Sequence, residues 1–100
     1  MDGSPRQRVD KWLFFARAVK SRSLAAKLVQ AGHVRLNRDK IDQAAHTVKV
    51  GDVLTIRLDR RILVWRVLET GTRRGPAEEA RTLYEDLAPP TSEPTEKTIS

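Results

Sequence analysis

The residues whose side chains most clearly suggest a binding function are the lysines and arginines of the first 40 positions. This region carries ten Lys and Arg against three Asp and Glu, a net charge of +7. Residues 41–75 carry +3 and residues 76–100 carry −4, so the cations concentrate towards one end of the chain. Concentrated positive charge attracts polyanions, nucleic acid first and anionic membrane second. A solvated basic surface is the structural alternative.

Two predicted helices position most of these cations. Apolar residues recur at spacings of three and four, which predicts an amphipathic first helix of about three turns. These residues are Val9, Trp12, Leu13, Ala16 and Val19. A second helix is predicted between the N-cap candidate Ser21 and the left-handed cap residue Gly32, with Leu24 on its apolar face. Phe14 lies outside the apolar face of the first helix, and it could pack on a neighbour or stack on a base.

The rest of the chain predicts an α+β fold. Two N-terminal helices would pack on a small antiparallel sheet built from residues 33–69, with Trp65 in the core. A short C-terminal helix is predicted over residues 77–87. The predicted divisions are a flexible arm at 1–7, a domain at 8–70, a linker with the C-terminal helix at 71–88, and a disordered, proline-rich tail at 89–100.

Several classes of function are disfavoured by what the sequence lacks. Without cysteine there is neither a disulfide nor a thiolate metal ligand, and His33 and His46 stand apart from other ligands, so no metal or cofactor is expected. The sequence contains no nucleophile motif and no phosphate-binding loop, so an enzyme is not expected. No apolar run approaches the roughly 20 residues of a membrane span, and we expect a soluble cytoplasmic protein without a membrane partner.

Four segments of the chain resemble the S4-type RNA-binding domain. They are Arg8–Leu13, Ser21–Ala25, Gly32–Asn37 and Val48–Leu54. Their order and spacing agree with that domain over about residues 8–58, and the resemblance implies its alpha-L motif of paired helices on a sheet. Arg73–Ala80 with Leu83–Glu85 is similar to the segment after the S4 domain in the fifteen-kilodalton ribosome-associated heat-shock proteins of bacteria.

The resemblance implies a non-catalytic, monomeric protein that binds ribosomal RNA. Its partner would be the large ribosomal subunit, particularly a free subunit carrying a stalled nascent chain on tRNA, during recycling after stress. Peptidyl-tRNA is a further implied partner. Two features depart from the family: Asn37-Arg38 replaces the usual Asn-Gly turn, and the C-terminal extension is short and acidic.

Thirteen residues are predicted to contact RNA. Arginine can grip two phosphate oxygens and lysine acts as a point charge, while hydroxyl and amide groups can reach phosphate or sugar. The helical cations would form a ridge that the first hairpin extends. The predicted residues are Arg8, Lys11, Arg17, Lys20, Ser21, Arg22, Ser23, Lys27, His33, Arg35, Asn37, Arg38 and Lys40.

Two other binding functions compete with this interpretation. A general nucleic-acid binder would also accept DNA, since only contacts to the 2′-hydroxyl separate the two polymers. A peptide-binding chaperone would need an apolar groove. The apolar residues are expected to be committed to the core, which leaves no such groove.

Overall fold

The computed structural model describes residues 6–87. Residues 1–5 of the predicted arm and the whole predicted tail lie outside this range. The helices are α1 (Val9–Phe15), α2 (Arg22–Gln30) and α3 (Ala77–Ala80), with a 3-10 helix at Arg81–Leu83. The strands are β1 (Arg6–Arg8), β2 (Val34–Leu36), β3 (Asp39–Ile41), β4 (Thr47–Lys49), β5 (Val53–Arg57), β6 (Ile62–Val67) and β7 (Tyr84–Asp86).

Five strands form an antiparallel sheet in the order β3-β2-β5-β6-β7, and β1 pairs with β4 separately. Alternate side chains of the sheet are apolar and buried, and they share one core with α1 and α2. The predicted α+β fold of two helices on an antiparallel sheet is confirmed. The face turned away from the helices is called the outer sheet face, and its central row of neighbours is Lys40, Arg35, Thr55 and Val64.

Trp12 lies in the centre of the core. Its side chain is fully buried, and its indole Nε1 donates a hydrogen bond of 2.9 Å to the carbonyl oxygen of Glu69. Its ring meets Trp65 edge-on, with 6.3 Å between centroids. One side chain therefore joins α1 to the sheet and to the segment that follows β6.

Helix α1 is shorter than the predicted three turns, because the chain leaves the helical conformation at Arg17. Ala16 caps the helix, and the amides of Arg17 and Ala18 donate to the carbonyls of Phe14 and Leu13. Arg17 has a φ of 65°, the left-handed conformation that this pattern of hydrogen bonds requires. Val19 still enters the core, but from the connection between the helices.

The prediction of a helix over residues 77–87 is wrong beyond its first turn. After α3 and the 3-10 helix the chain forms β7, which pairs with β6. The ring of Tyr84 stacks on Trp65 with 3.7 Å between centroids and 7° between planes. The edge of β6 offers unpaired backbone groups and a buried aromatic surface, which outweigh the weak helical preference of so short a segment.

The fold begins within the segment predicted to be an arm. Arg6 and Gln7 belong to β1, and the side-chain amide of Gln7 exchanges two hydrogen bonds with the backbone of Gly71, at 2.7 and 3.0 Å. These bonds tie the start of the described chain to the segment after β6. Within residues 6–87, no helix has the length and apolar character needed to cross a membrane.

Candidate nucleic-acid interface

Helix α2 starts and ends at the residues that the sequence predicted. Ser21 is extended, and its Oγ accepts a hydrogen bond of 3.1 Å from the amide of Leu24, which confirms it as the N-cap. Gly32 follows the C-cap with a φ of 81°, which confirms its left-handed role. The Oγ of Ser21 thus accepts within the cap, and the predicted contact of Ser21 with RNA stays a prediction.

A buried carboxylate connects the two helices. Asp10 accepts two hydrogen bonds of 3.1 Å from the guanidinium of Arg8 and one of 3.4 Å from that of Arg22. It also accepts a bond of 2.7 Å from the amide of Lys11. Asp10 is only 4% exposed, whereas both arginine side chains are 46% exposed. One acid therefore holds two predicted RNA contacts side by side while their outer surfaces stay open to solvent.

The ionisation of Asp10 follows from these contacts. Burial by itself would raise the pKa of Asp10. The hydrogen bonds from Arg8 and the Lys11 amide, together with the charges of Arg8 and Arg22, outweigh burial and lower that pKa below its ordinary value. At neutral pH the carboxylate is therefore fully charged. The sequence analysis missed this role of Asp10. The Arg-Val-Asp triplet before Lys11 was a usable signal, since it places an acid between cations.

Arg17 is held in place from the C-terminal part of the chain. Its Nε donates a hydrogen bond of 2.7 Å to the carbonyl oxygen of Gly75, and the residue is exposed. The terminal nitrogens of its guanidinium have no hydrogen-bond partner within residues 6–87. A non-glycine residue in the left-handed region costs roughly 1 kcal/mol, and here the strain places a guanidinium at the corner between the helices.

Arg74 was not predicted to belong to this region. Its guanidinium lies 5.2 Å from the centroid of the Phe14 ring and donates a bond of 3.4 Å to the carbonyl of Val19. Of the two roles considered for Phe14, the structure gives it packing, since the ring also contacts Phe15 at 5.9 Å between centroids. Residues 74 and 75, which lie in the predicted linker, therefore contact α1 and the connection that follows it.

The remaining predicted cations on or between the two helices have no acidic partner among residues 6–87. Lys20 and Lys27 are exposed and Lys11 is half-buried, and none of them forms an ion pair within the described chain. Ser23 is also exposed, in the first turn of α2. Helix α1 packs against α2, and these groups form a set that lies on the two helices or on the residues directly before and between them. We call it the helical surface, and its cations are Arg8, Lys11, Arg17, Lys20, Arg22 and Lys27.

The first hairpin does not simply extend the helical surface. Val34 and Leu36 are buried beneath the helices, so the intervening Arg35 faces the outer sheet face. Lys40 lies directly across from Arg35 in the β2-β3 register, and both are exposed. Arg35 therefore lies on the opposite side of the sheet from α1 and α2, whereas the side chain of Lys40 extends to Gly32, directly after the C-cap of α2.

The last three predicted residues lie at the two ends of β2. His33 is exposed at its start, and Arg38 is exposed at the hairpin tip. The side-chain Oδ1 of Asn37 accepts a bond of 3.1 Å from the amide of Val53, so its carbonyl oxygen is already used within the fold. In the described part of the chain, no group of three or more His, Cys, Asp and Glu residues could hold a metal ion.

Comparison with known proteins places this geometry in a family. The S4 domain matches residues 7–54. The RQC P-site tRNA stabilizing factor of Halalkalibacterium halodurans is 36% identical over 81 residues, which cover 78% of this chain and 86% of that protein. The chain belongs to the S4-domain family that includes this factor.

Heat shock protein 15 is a second relative in this S4-domain family. The Escherichia coli K12 protein is 36% identical over 84 residues, covering 81% of this chain but only 60% of that protein. The solved trimeric structure of the Vibrio cholerae protein is 32% identical, with a TM-score of 0.78 over 84% of each chain. The monomeric state of the present S4-domain chain stays a prediction.

The hairpin geometry explains how this S4-domain chain departs from the Asn-Gly turn. Asn37 has a φ of 59°, whereas Arg38 is not among the residues with positive φ. Glycine is required only where φ is positive, so arginine fits the second turn position without backbone strain. The departure adds a cation at the hairpin tip and leaves the β2-β3 pairing intact.

Proposed function

We propose that this chain is a non-catalytic protein that binds folded RNA through its helical surface. In this proposal the RNA is ribosomal RNA of the large subunit, in the cytoplasm, on free subunits that carry a stalled nascent chain on tRNA. Binding would serve the recycling of such subunits after stress.

The observation that carries the proposal is the pairing of Arg8 and Arg22 with the buried carboxylate of Asp10. A single buried acid orients two arginines, while the neighbouring lysines have no acid within the described chain. Duplex RNA is recognised mostly by shape, through phosphate and 2′-hydroxyl contacts. A helix pair with pre-oriented guanidinium groups suits such a target, because less side-chain freedom is lost on binding.

The names of relatives support the ribosomal part of the proposal. One relative is a heat shock protein, and another is described as stabilising a P-site tRNA. The sequence alignment with the second relative covers 86% of that protein. The Escherichia coli protein is longer, so contacts made by its remaining length do not transfer to this chain.

Sedimentation with separated ribosomal subunits tests the proposal. We expect the full chain to sediment with large subunits, and more strongly when they carry a stalled nascent chain on tRNA. Small subunits and a DNA duplex are the competitors. Equal retention by both subunits, or complete displacement by DNA, would identify a general nucleic-acid binder instead.

Replacing Asp10 by asparagine is expected to weaken RNA binding although it removes a negative charge. The variant replaces the charged acceptor that Arg8 and Arg22 share with a neutral amide, and disruption of a buried charged hydrogen-bond network typically costs about 1–3 kcal/mol of folding stability. Binding to an RNA hairpin by fluorescence anisotropy and unfolding in urea measure the two effects. Stronger RNA binding by the variant would contradict a positioning role for Asp10.

Glu85→Gln is the matched control, because it makes the same charge change at an exposed ion pair. Arg66 and Glu85 are 2.8 Å apart and both about half exposed, so stability should change by less than about 0.5 kcal/mol.

The pH dependence of folding stability separates the two variants further. The lowered pKa of Asp10 means that its stabilisation is present above the unfolded pKa of about 3.9 and is lost as the pH falls through the native value. Parent and Asp10→Asn should therefore converge in stability in acid.

A further inference from the structure

A shallow groove of about 600 Å³ lies between α2 and the tip of the β5-β6 hairpin. Its floor is aliphatic and consists of Ala18, Val19, Leu24, Leu28 and Leu58. Leu24 was predicted to lie on the buried face of α2, but it is 45% exposed. The expectation that the core would use all apolar residues and leave no groove is therefore wrong.

The rim of this groove is basic. Lys20, Arg60 and Arg61 line it together with a single acid, Asp59. None of the three cations forms an ion pair within residues 6–87. Unneutralised cations around the exposed Leu24 and the partly buried Leu28 and Leu58 mark a surface that is complementary to a ligand with both acidic and aliphatic groups.

We propose that this groove docks an acidic amphipathic helix of a partner protein. Leu24 and Leu28 are one turn apart on α2, so they form a ridge against which apolar residues of an incoming helix can pack. Acids flanking that apolar face would meet Lys20, Arg60 and Arg61. This protein-binding site goes beyond the proposed RNA binding and shares Lys20 with the helical surface.

The chemistry of the floor favours a peptide over RNA. Unpaired bases stack on aromatic rings or arginine planes. None of the described residues that line the groove is aromatic, and its two arginines lie in the β5-β6 turn, apart from the aliphatic residues of α2. A phosphate contact uses only the rim and leaves Leu24 exposed to water. Aliphatic side chains of a helix cover that surface, and the small groove predicts a weak, transient complex.

The probe is a synthetic helical peptide of about 16 residues, long enough for measurable helicity, with leucines on one face and glutamates on the other. A scrambled peptide of the same composition is its control. Binding to the full chain is followed by nitrogen-15 amide shifts and fluorescence anisotropy. We expect saturable shifts confined to residues 18–28 and 58–61, and none with the scrambled peptide.

Two glutamine substitutions locate the site. Leu24→Gln should weaken binding of the peptide at least about tenfold, as loss of a central apolar contact does. Ile62→Gln is the control, because Ile62 is 53% exposed but does not line the groove, and it should bind the peptide as the parent does. Binding of an RNA hairpin should be unchanged in both variants.

Several results would overturn the protein-docking proposal. The absence of shifts, or equal shifts with the scrambled peptide, removes the helix as occupant. Weaker RNA binding by Leu24→Gln assigns the groove to RNA. Shifts of the groove amides on deleting residues 89–100, without peptide, assign it to the chain's own C-terminal segment.

Discussion

Replacing Arg17, Lys20 and Arg22 together by alanine is expected to weaken binding to an RNA hairpin at least about tenfold. These residues lie at the corner where α1 ends and α2 begins, and none has its charge neutralised by a partner of its own. Arg22 shares Asp10 with Arg8, and Arg17 is bound only to a backbone carbonyl. Each lost phosphate contact also removes counterion release, so the slope of log Kd against log salt should fall by about 3.

The control for this variant removes the same charge elsewhere. Arg57, Arg66 and Arg81 are exposed and lie on the sheet or the 3-10 helix, away from α1 and α2. If long-range charge alone governed RNA binding, alanine at these three positions would weaken it equally. Circular dichroism of both variants must retain the parent's helical signal, since Arg17→Ala also removes the bond to Gly75. Equal affinity of the helical variant and the parent would reject the helical surface as the interface.

Trp12→Ala is expected to cost about 3–5 kcal/mol of unfolding free energy, a large share of the stability of so small a domain. The substitution opens a cavity at the centre of the core and removes both the bond to Glu69 and the edge contact with Trp65. Urea unfolding measured by circular dichroism gives the change, and Trp65 remains as a fluorescent reporter. RNA binding should fall in proportion to the unfolded fraction.

Two further variants separate packing from hydrogen bonding at this site. Trp12→Phe keeps an aromatic ring but removes the donor to the Glu69 carbonyl, so its cost should be smaller than that of alanine. Ile62→Ala, at an exposed position, should change stability by less than about 0.5 kcal/mol. A Trp12→Ala protein within about 1 kcal/mol of the parent would show that the core does not depend on this residue.

The elements with strong local signals were predictable from the sequence. Ser21 and Gly32 set the limits of α2, because a cap hydroxyl and a left-handed glycine act on their immediate neighbours. The alternation around Leu54, Ile56 and Trp65 gave the strands and their buried face. The concentration of cations in the helices likewise follows from composition and period.

Contacts between distant segments could not be predicted in this way. Arg17, which follows the C-cap of α1, donates a side-chain hydrogen bond to Gly75, 58 positions away. Strand β7 forms because β6 offers an open edge and Trp65 a ring for Tyr84 to stack on. Both outcomes override a local helical period, since tertiary packing contributes more than propensity in short segments.

The sequence by itself determined that this is a basic α+β protein with an S4-like helix pair and a set of cations able to meet phosphate. Only the tertiary structure decided how those cations are divided. Asp10 gathers Arg8 and Arg22 on the helical surface, while the pleat of β2 turns Arg35 to the outer sheet face. The physical reason is that the periodicity of a helix or strand sets the direction in which each side chain points from its own element. The neighbours of that side chain across the fold are fixed by packing and by the need to pair buried charge.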